Sequence, residues 1–302
     1  MLDVFQRHGH NRIDTARVYG QGSSEEYLGE IKWQDRGIIM DTKLYPNVGR
    51  STGAPQISHS PSDLRKFLLQ SLSALKTKKV DMWYLHAPDR TTPFEDTLRT
   101  VDELHKEGLF DNFGISNFMS WEVACINELC VQNGWIRPSV YQGVYSVVHR
   151  TVEAELFPCL RHYGMGFFAF NPLAGGYLTS RYRREMQSGS VEQSSRFDPT
   201  TDQGKRYRTR YWNDTMFDAL DVIRDVAGKY QLTEAECALR WIMNHSQLNA
   251  ENGDAVIVGA SNVTHLEDNL VDLEKGPLPK EVVDALDKAW VISKSIAWNY
   301  YH

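Results

Sequence analysis

The stretch VDMWYLHAPDRTTPFEDTLRTVDELHKEGLFDNFGIS, residues 80–116, decides the fold. It opens on an aromatic and β-branched run over 80–86, carries a helical pattern, and closes on a second strand-like run over 112–116. Two such runs joined by a helix-length crossover read as a βαβ unit, the sequence sign of a parallel sheet. Outward from it the same alternation recurs, with further strands expected over 11–16, 37–43, 139–145, 165–170 and 255–259, seven in all. Helix starts are marked too. Thr92-Pro93-Phe94-Glu95 and Thr233-Glu234-Ala235-Glu236 read as capping boxes, and Ser60-Pro61 as an N-cap ahead of a proline at the first helical position. After Ser60, Leu64, Leu68, Leu72 and Leu75 form one apolar stripe to lay on the sheet.

With 302 residues the chain accommodates either two ordinary domains or one large α/β barrel. A hydrophobic fraction of 41% and a charged fraction of 24% are those of a soluble globular protein. No apolar run approaches the ~20 residues that span a bilayer. MLDVFQRHGH lacks the basic and apolar regions of a secretory signal, so a cytoplasmic location is expected. The net charge of −6 argues against a general nucleic-acid binder, although RYRR at 181–184 and KRYRTR at 205–210 are local basic runs that could meet phosphate. Cys125, Cys130, Cys159 and Cys237 show no metal or redox spacing, and are expected to be buried free thiols.

Four polar residues stand at or just beyond strand ends: Asp14, Tyr19, Lys43 and His86. Singly, each has a bland reading as a turn residue, a surface aromatic, a snorkelling lysine or a core histidine. Together they form a proton-delivery set. A phenol is a poor acid at neutral pH, but an adjacent ammonium stabilises the phenolate, and a carboxylate holds that ammonium charged and oriented. Such a tyrosine can protonate a carbonyl oxygen while hydride reaches the carbon.

IDTARVYG, MDTK, WYLHAP, GISNF, YQGVYS, FNPLAGGYLTSRY and VIVGASNVTHLEDNL fall in the order and spacing of the aldo-keto reductase family, which the chain resembles over nearly its whole length. WEVACINELCVQNGWIRPSVYQGVYS, ELFPCLRHYG, ALRWIMNHSQL and AWNYY are most similar to its aflatoxin-aldehyde reductase branch, fungal members included. The resemblance implies an α/β fold of the (β/α)8 TIM-barrel type, NADPH as hydride donor, and reduction of an aldehyde or ketone to an alcohol. It implies Tyr19 as the acid, Lys43 and Asp14 as its tuning pair, and His86 as the residue that orients the substrate carbonyl. Asp14, Ser116, Asn117 and Gln142 would meet the nicotinamide end, with Phe170 stacked on its ring. Asn171, Pro172, Leu173, Ala174, Gly175, Gly176, Leu178 and Arg181 would follow the pyrophosphate. Ser261, Asn262, His265 and Asn269 would read the adenosine end. Trp298 and Tyr300, in a pocket segment spanning 292–302, would join His86 around a small-molecule carbonyl substrate. No metal is implied, and a homo-oligomer is allowed.

Seven strands are one short of eight, and DVFQRHGHNRIDTA reads as the first barrel helix followed by the second strand. The expectation is therefore a single barrel domain over 1–302 without the family's amino-terminal hairpin and first strand. Residues 181–212 read as a long binding loop, mobile without ligand. Two functions stay open: a carbonyl reductase, in fungal secondary metabolism by the resemblance, and a nicotinamide-binding regulatory or scaffold subunit with little turnover.

Overall fold

The computed structural model describes residues 1–49, 56–186, 191–193 and 195–302. These divide into two compact units. The strand unit comprises 9–143, 155–167 and 301–302; the helix-rich unit comprises 1–8, 144–154 and 168–300.

In chain order the elements are α1 (Leu2–Arg7), β1 (Arg12–Asp14), α2 (Ser23–Glu30), β2 (Ile39–Leu44), α3 (Pro61–Ala74) and β3 (Val80–Leu85). Next come α4 (Phe94–Lys106), β4 (Phe110–Ser116), α5 (Ser120–Asn133), β5 (Val140–Val144), α6 (Leu156–Tyr163) and β6 (Gly166–Phe170). The series closes with α7 (Asp202–Tyr211), α8 (Asp214–Lys229), α9 (Glu234–Asn244), β7 (Ala255–Val256), α10 (Val263–Glu274) and α11 (Lys280–Ser293). Strand order equals chain order. The registers of β1 to β5 and of β6 with β7 are all parallel. This βα alternation is consistent with a (β/α)8-type barrel.

All seven expected strands are present, and the leucine stripe of α3 is buried as expected. Ser60 caps α3 by accepting from the Asp63 amide, and Thr233 caps α9 by accepting from that of Glu236. Three expectations need correction. Thr92 is not a cap: its hydroxyl donates to Asp89 Oδ2 at 2.7 Å, and Pro93 takes the N-cap position. The last strand is two residues rather than 255–259, although Ile257 N still donates to Ala169 O. Beyond it, Val258 and Ala260 pack on a small core of Val4, Leu266 and Leu270, tying the chain to α1 and α10.

The third concerns the expected loop. Of residues 181–212, those at 187–190 and 194 lie outside the described set, and Asp202–Tyr211 form α7. Thr201 caps that helix by accepting from the Gly204 amide, while Tyr207 and Tyr211, one turn apart, are buried. Two aromatic anchors and a cap thus order a segment otherwise dominated by charge. Among the cysteines, Cys130 and Cys237 are the buried free thiols expected, and burial pushes both up to about 12; Cys125 and Cys159 are only partly buried.

Candidate active site

Side chains on neighbouring parallel strands line up in rows, so register decides which polar groups meet. Asp14 pairs in register with Asp41, and Lys43, two residues further along β2, lies on the same face as Asp41. Lys43 has no exposed surface, and its Nζ donates to both Asp14 carboxylate oxygens at 2.5 Å. Gln142 Nε2 also donates to Asp14 Oδ1, at 2.8 Å. Burial alone would push the Lys43 pKa down. The charges of Asp14 and Tyr19, the hydrogen bond to Asp14 and the charge of Asp41 outweigh it, so the ammonium is held above its ordinary value. A lysine that ends an apolar strand is here a fixed buried charge, not a snorkelling one.

Tyr19 follows β1 in a short turn, Tyr19–Gly22, and its ring is exposed. Lys43 Nζ lies 5.1 Å from its ring centroid. The turn is fixed from behind. Arg17 donates to the fully buried Glu25 of α2 at 3.2 Å, and Thr42 of β2 donates to the same carboxylate at 2.6 Å. The segment carrying the phenol is thereby fastened to the strand carrying the ammonium.

His86 stands edge-on to Tyr19, with ring centroids 5.8 Å apart, and edge-on to Tyr45 at 5.1 Å. Its Nδ1 is buried without a hydrogen-bond partner. Burial first, then the charges of Lys43 and His302, hold its pKa well below the ordinary value, so the ring is neutral at physiological pH. Its backbone carbonyl accepts from Asn117 Nδ2 at 2.8 Å, and the same amide donates to Ser116 Oγ at 3.0 Å. Asp14, Tyr19, Lys43 and His86 are therefore brought together, with Ser116, Asn117 and Gln142 beside them as buried polar groups.

Two further residues also reach this place, Tyr45 and His302, the latter closing the expected pocket segment 292–302. Tyr45, two positions after Lys43, contacts His86 and hydrogen-bonds the His302 ring at 2.9 Å. His302 is further held by its amide, which donates to Asn117 O at 3.3 Å, and by its carbonyl, which accepts from Arg90 at 3.2 Å. Strand alternation from Lys43 could have pointed to Tyr45, and His302 falls within the expected segment 292–302. Arg90, His302, Pro46 and Ala87 help line a cleft of about 230 Å³.

In the helix-rich unit, Phe170 ends β6, and Asn171, Ala174, Gly175 and Gly176 all have positive φ, at 59°, 52°, 70° and 95°. Consecutive turned amides of this kind form concavities that suit phosphate oxygens. Pro172, Ala174 and Leu178 are buried beneath that turn, with Leu173 partly so. Asn171 Oδ1 accepts from Tyr207 at 3.2 Å. Arg181 Nη2 lies 3.2 Å from His265 Nε2 at the start of α10. Ser261 Oγ and Asn262 Nδ2 stand 3.0 and 3.1 Å from His265 Nδ1, and Asn262 caps the helix. Asn269, one turn on, is buried. A guanidinium beside an imidazole at a helix N-terminus fits an anion such as a nucleotide phosphate. Trp298 packs 4.2 Å from the His149 ring and edge-on to Tyr211 at 5.0 Å, while Tyr300 is buried.

The family model described as Aldo/keto reductase family matches residues 1–291. The aldo-keto reductase pigE of Monascus ruber is 49% identical over 304 residues, covering 100% of this chain and 89% of that protein. An aldo-keto reductase of Pseudocercospora fijiensis is 50% identical, with 100% of each chain covered. Aflatoxin B1 aldehyde reductase member 4 of Homo sapiens is 42% identical over 99% of this chain and 90% of its own length. The chain belongs to the aldo/keto reductase family. It is accordingly an oxidoreductase of small carbonyl compounds, in a family that generally uses a nicotinamide cofactor. No helix among the described residues is long and apolar enough to cross a membrane.

Proposed function

We propose that the protein is an NADPH-dependent reductase that converts an aldehyde, or a ketone, to the alcohol, with Tyr19 as general acid. One observation carries the reading: Lys43, buried and doubly hydrogen-bonded to Asp14, stands 5.1 Å from the ring of an exposed tyrosine that also abuts a neutral histidine. When bound, NADPH would supply the hydride for the carbonyl carbon. Tyr19 Oη supplies the proton to the carbonyl oxygen, and the phenolate left behind is stabilised by the Lys43 ammonium. Asp14, itself held by a hydrogen bond from Gln142, keeps that ammonium in place. His86, being neutral, orients the carbonyl oxygen by a hydrogen bond without adding a charge. Ser116, Asn117 and Gln142 would hold the nicotinamide amide, Phe170 would stack on its ring, and the backbone turn at Asn171–Gly176 would follow the pyrophosphate. Arg181, His265 and the α10 terminus would favour the additional phosphate of NADPH over NADH. Trp298 and Tyr300, within 292–302, would shape the substrate pocket. A cytoplasmic location and a place in fungal secondary metabolism belong to the same proposal, resting on the likeness to fungal family members.

The test mixes purified protein with NADPH and aldehydes, 4-nitrobenzaldehyde and succinic semialdehyde among them, and follows loss of nicotinamide absorbance. Turnover is expected, with NADH much poorer; equal kcat/KM for both cofactors would refute the phosphate assignment. Tyr19→Phe should cost about 10²–10⁴ in kcat while NADPH affinity, read by fluorescence titration, stays within about twofold. Cofactor binding with no turnover on any aldehyde would refute the reductase reading and support the non-catalytic subunit.

A further inference from the structure

A second ion pair lies one register step behind the Lys43–Asp14 pair. Arg12 of β1 donates from Nη1 to Asp41 Oδ1 at 2.6 Å and from Nη2 to Asp81 Oδ1 at 2.7 Å. Asp41 is 1% exposed and stands in register beside Asp14, two residues before Lys43 on the same face of β2. An acidic side chain this deep is rare unless it is paired, and removing its partner leaves a costly buried charge. Neither Arg12 nor Asp41 belongs to the set implied by the family resemblance.

We propose that Arg12 and Asp41 are positioning residues of the reduction, a charge-balancing pair that sets the electrostatic field behind Lys43 and through it the acidity of Tyr19. The inference rests on Tyr19 being the acid. The groups that face Asp41 are Arg12 and Asp14 from β1, Lys43 from its own strand, and Asp81 and the buried Tyr84 from β3. Lys43 and His86 face Tyr19. Burial drives the Asp41 carboxyl up while the Arg12 charge and hydrogen bond draw it down, and it rests raised to about 7. Asp41 also adds to the field that keeps Lys43 charged. The balance is thus poised near neutrality. With Asp41 ionised, Arg12 is shared between Asp41 and Asp81 and Tyr19 feels mainly Lys43; with Asp41 neutral, Arg12 keeps Asp81 as its partner, one negative charge beside Lys43 is gone, and the phenol becomes more acidic.

The test reads Tyr19 directly, by titrating full-length protein labelled with ¹³Cζ-tyrosine, the Tyr19 signal being identified by its loss in Tyr19→Phe. Asp41→Asn should lower the Tyr19 midpoint by about half a pH unit to one, the order expected for one charge at this range in a partly solvated site. Arg12→Gln should move it in the opposite direction. The double variant, neutral and nearly isosteric, should return it to within about 0.2 unit of the wild type, a cancellation that a double-mutant cycle isolates. The high-pH limb of kcat against pH should follow the same three shifts. Tyr19 midpoints that coincide across wild type and single variants overturn the proposal, because a merely structural pair lowers the denaturation midpoint without moving the phenol. Should Asp41→Asn not fold, Arg12→Gln against wild type decides alone, its position being partly exposed. Absence of wild-type turnover would instead strike the reductase reading, and the tyrosine titration still reads the field.

Discussion

In the strand unit the polar groups are fixed by charge and burial, whereas in the helix-rich unit the segment expected to meet the cofactor is fixed by backbone conformation and aromatic packing. Lys43, Asp14, Asp41 and Arg12 form two ion pairs across the neighbouring strands β1 and β2. The run Asn171–Gly176 has no such pairs among its own side chains; it is shaped by four positive-φ residues and by Tyr207 packed against Gly175. The difference teaches what each region must do. A group that tunes a proton needs a fixed field, because its effect falls with distance and solvent screening. A turn that receives a phosphate needs amides to present and little else.

The largest expected effect breaks the first region. Lys43→Met removes the cation paired with Asp14 and leaves a nearly buried carboxylate with the Gln142 amide, so it should destabilise the fold by about 3–5 kcal/mol and abolish measurable reduction. Denaturant unfolding with parallel kinetics checks it, and a stable variant would mean that the pair is not the rigid element described. The second region breaks differently. At Gly175, with φ +70°, an added Cβ would stand 2.2 Å from the Tyr207 ring, so Gly175→Ala should cost about 2–4 kcal/mol and weaken NADPH binding. Gly176→Ala, with φ +95° but open space around it, should cost about 1 kcal/mol. Equal effects at the two glycines would show that packing on Tyr207 does not hold the turn.

The smallest effect sharpens the comparison, because it asks what charge does in the helix-rich unit. His8 of the α1 end lies with Nδ1 2.6 Å from Glu274 and Nε2 3.2 Å from Glu267, both on α10. The hydrogen bonds to Glu274 and then Glu267 raise its pKa above the ordinary 6.5. A raised folded-state pKa contributes stability that is fully present below 6.5 and is lost as pH rises through the folded value. Melting temperatures from about pH 6 to about pH 9 should therefore fall more in wild type than in His8→Gln. Parallel curves would show that α1 is held by the packing of Val4 and Phe5 and by the Arg7–Glu267 pair rather than by the His8 charge.

How much of this could be read from the chain follows from locality. The seven strands were legible because aromatic and β-branched runs, glycines and caps are short-range signals, and Ser60 and Thr233 behave as their sequences imply. Thr92 misleads because Asp89, three residues back, competes for its hydroxyl. The helix at 202–211 was hidden because its charged stretch has only Tyr207 and Tyr211 to bury, too few for a stripe. At the site, Asp14, Tyr19, Lys43 and His86 were legible as polar residues at or near strand ends, but Arg12 and Asp41 were not. Arg12 within the first strand and Asp41 before Thr42 look like solvated charges until register places them together.

The sequence by itself determined the alternation of strands and helices, the family and the identity of the four polar groups that the fold brings together, since each is written in local pattern and order. Only the tertiary structure decided that Lys43 is wholly buried against Asp14, that His86 is neutral, that His302 reaches Tyr45, and that a second ion pair lies behind the first. Those are statements about distance and desolvation between residues far apart in the chain, and the energy of a charge depends on both.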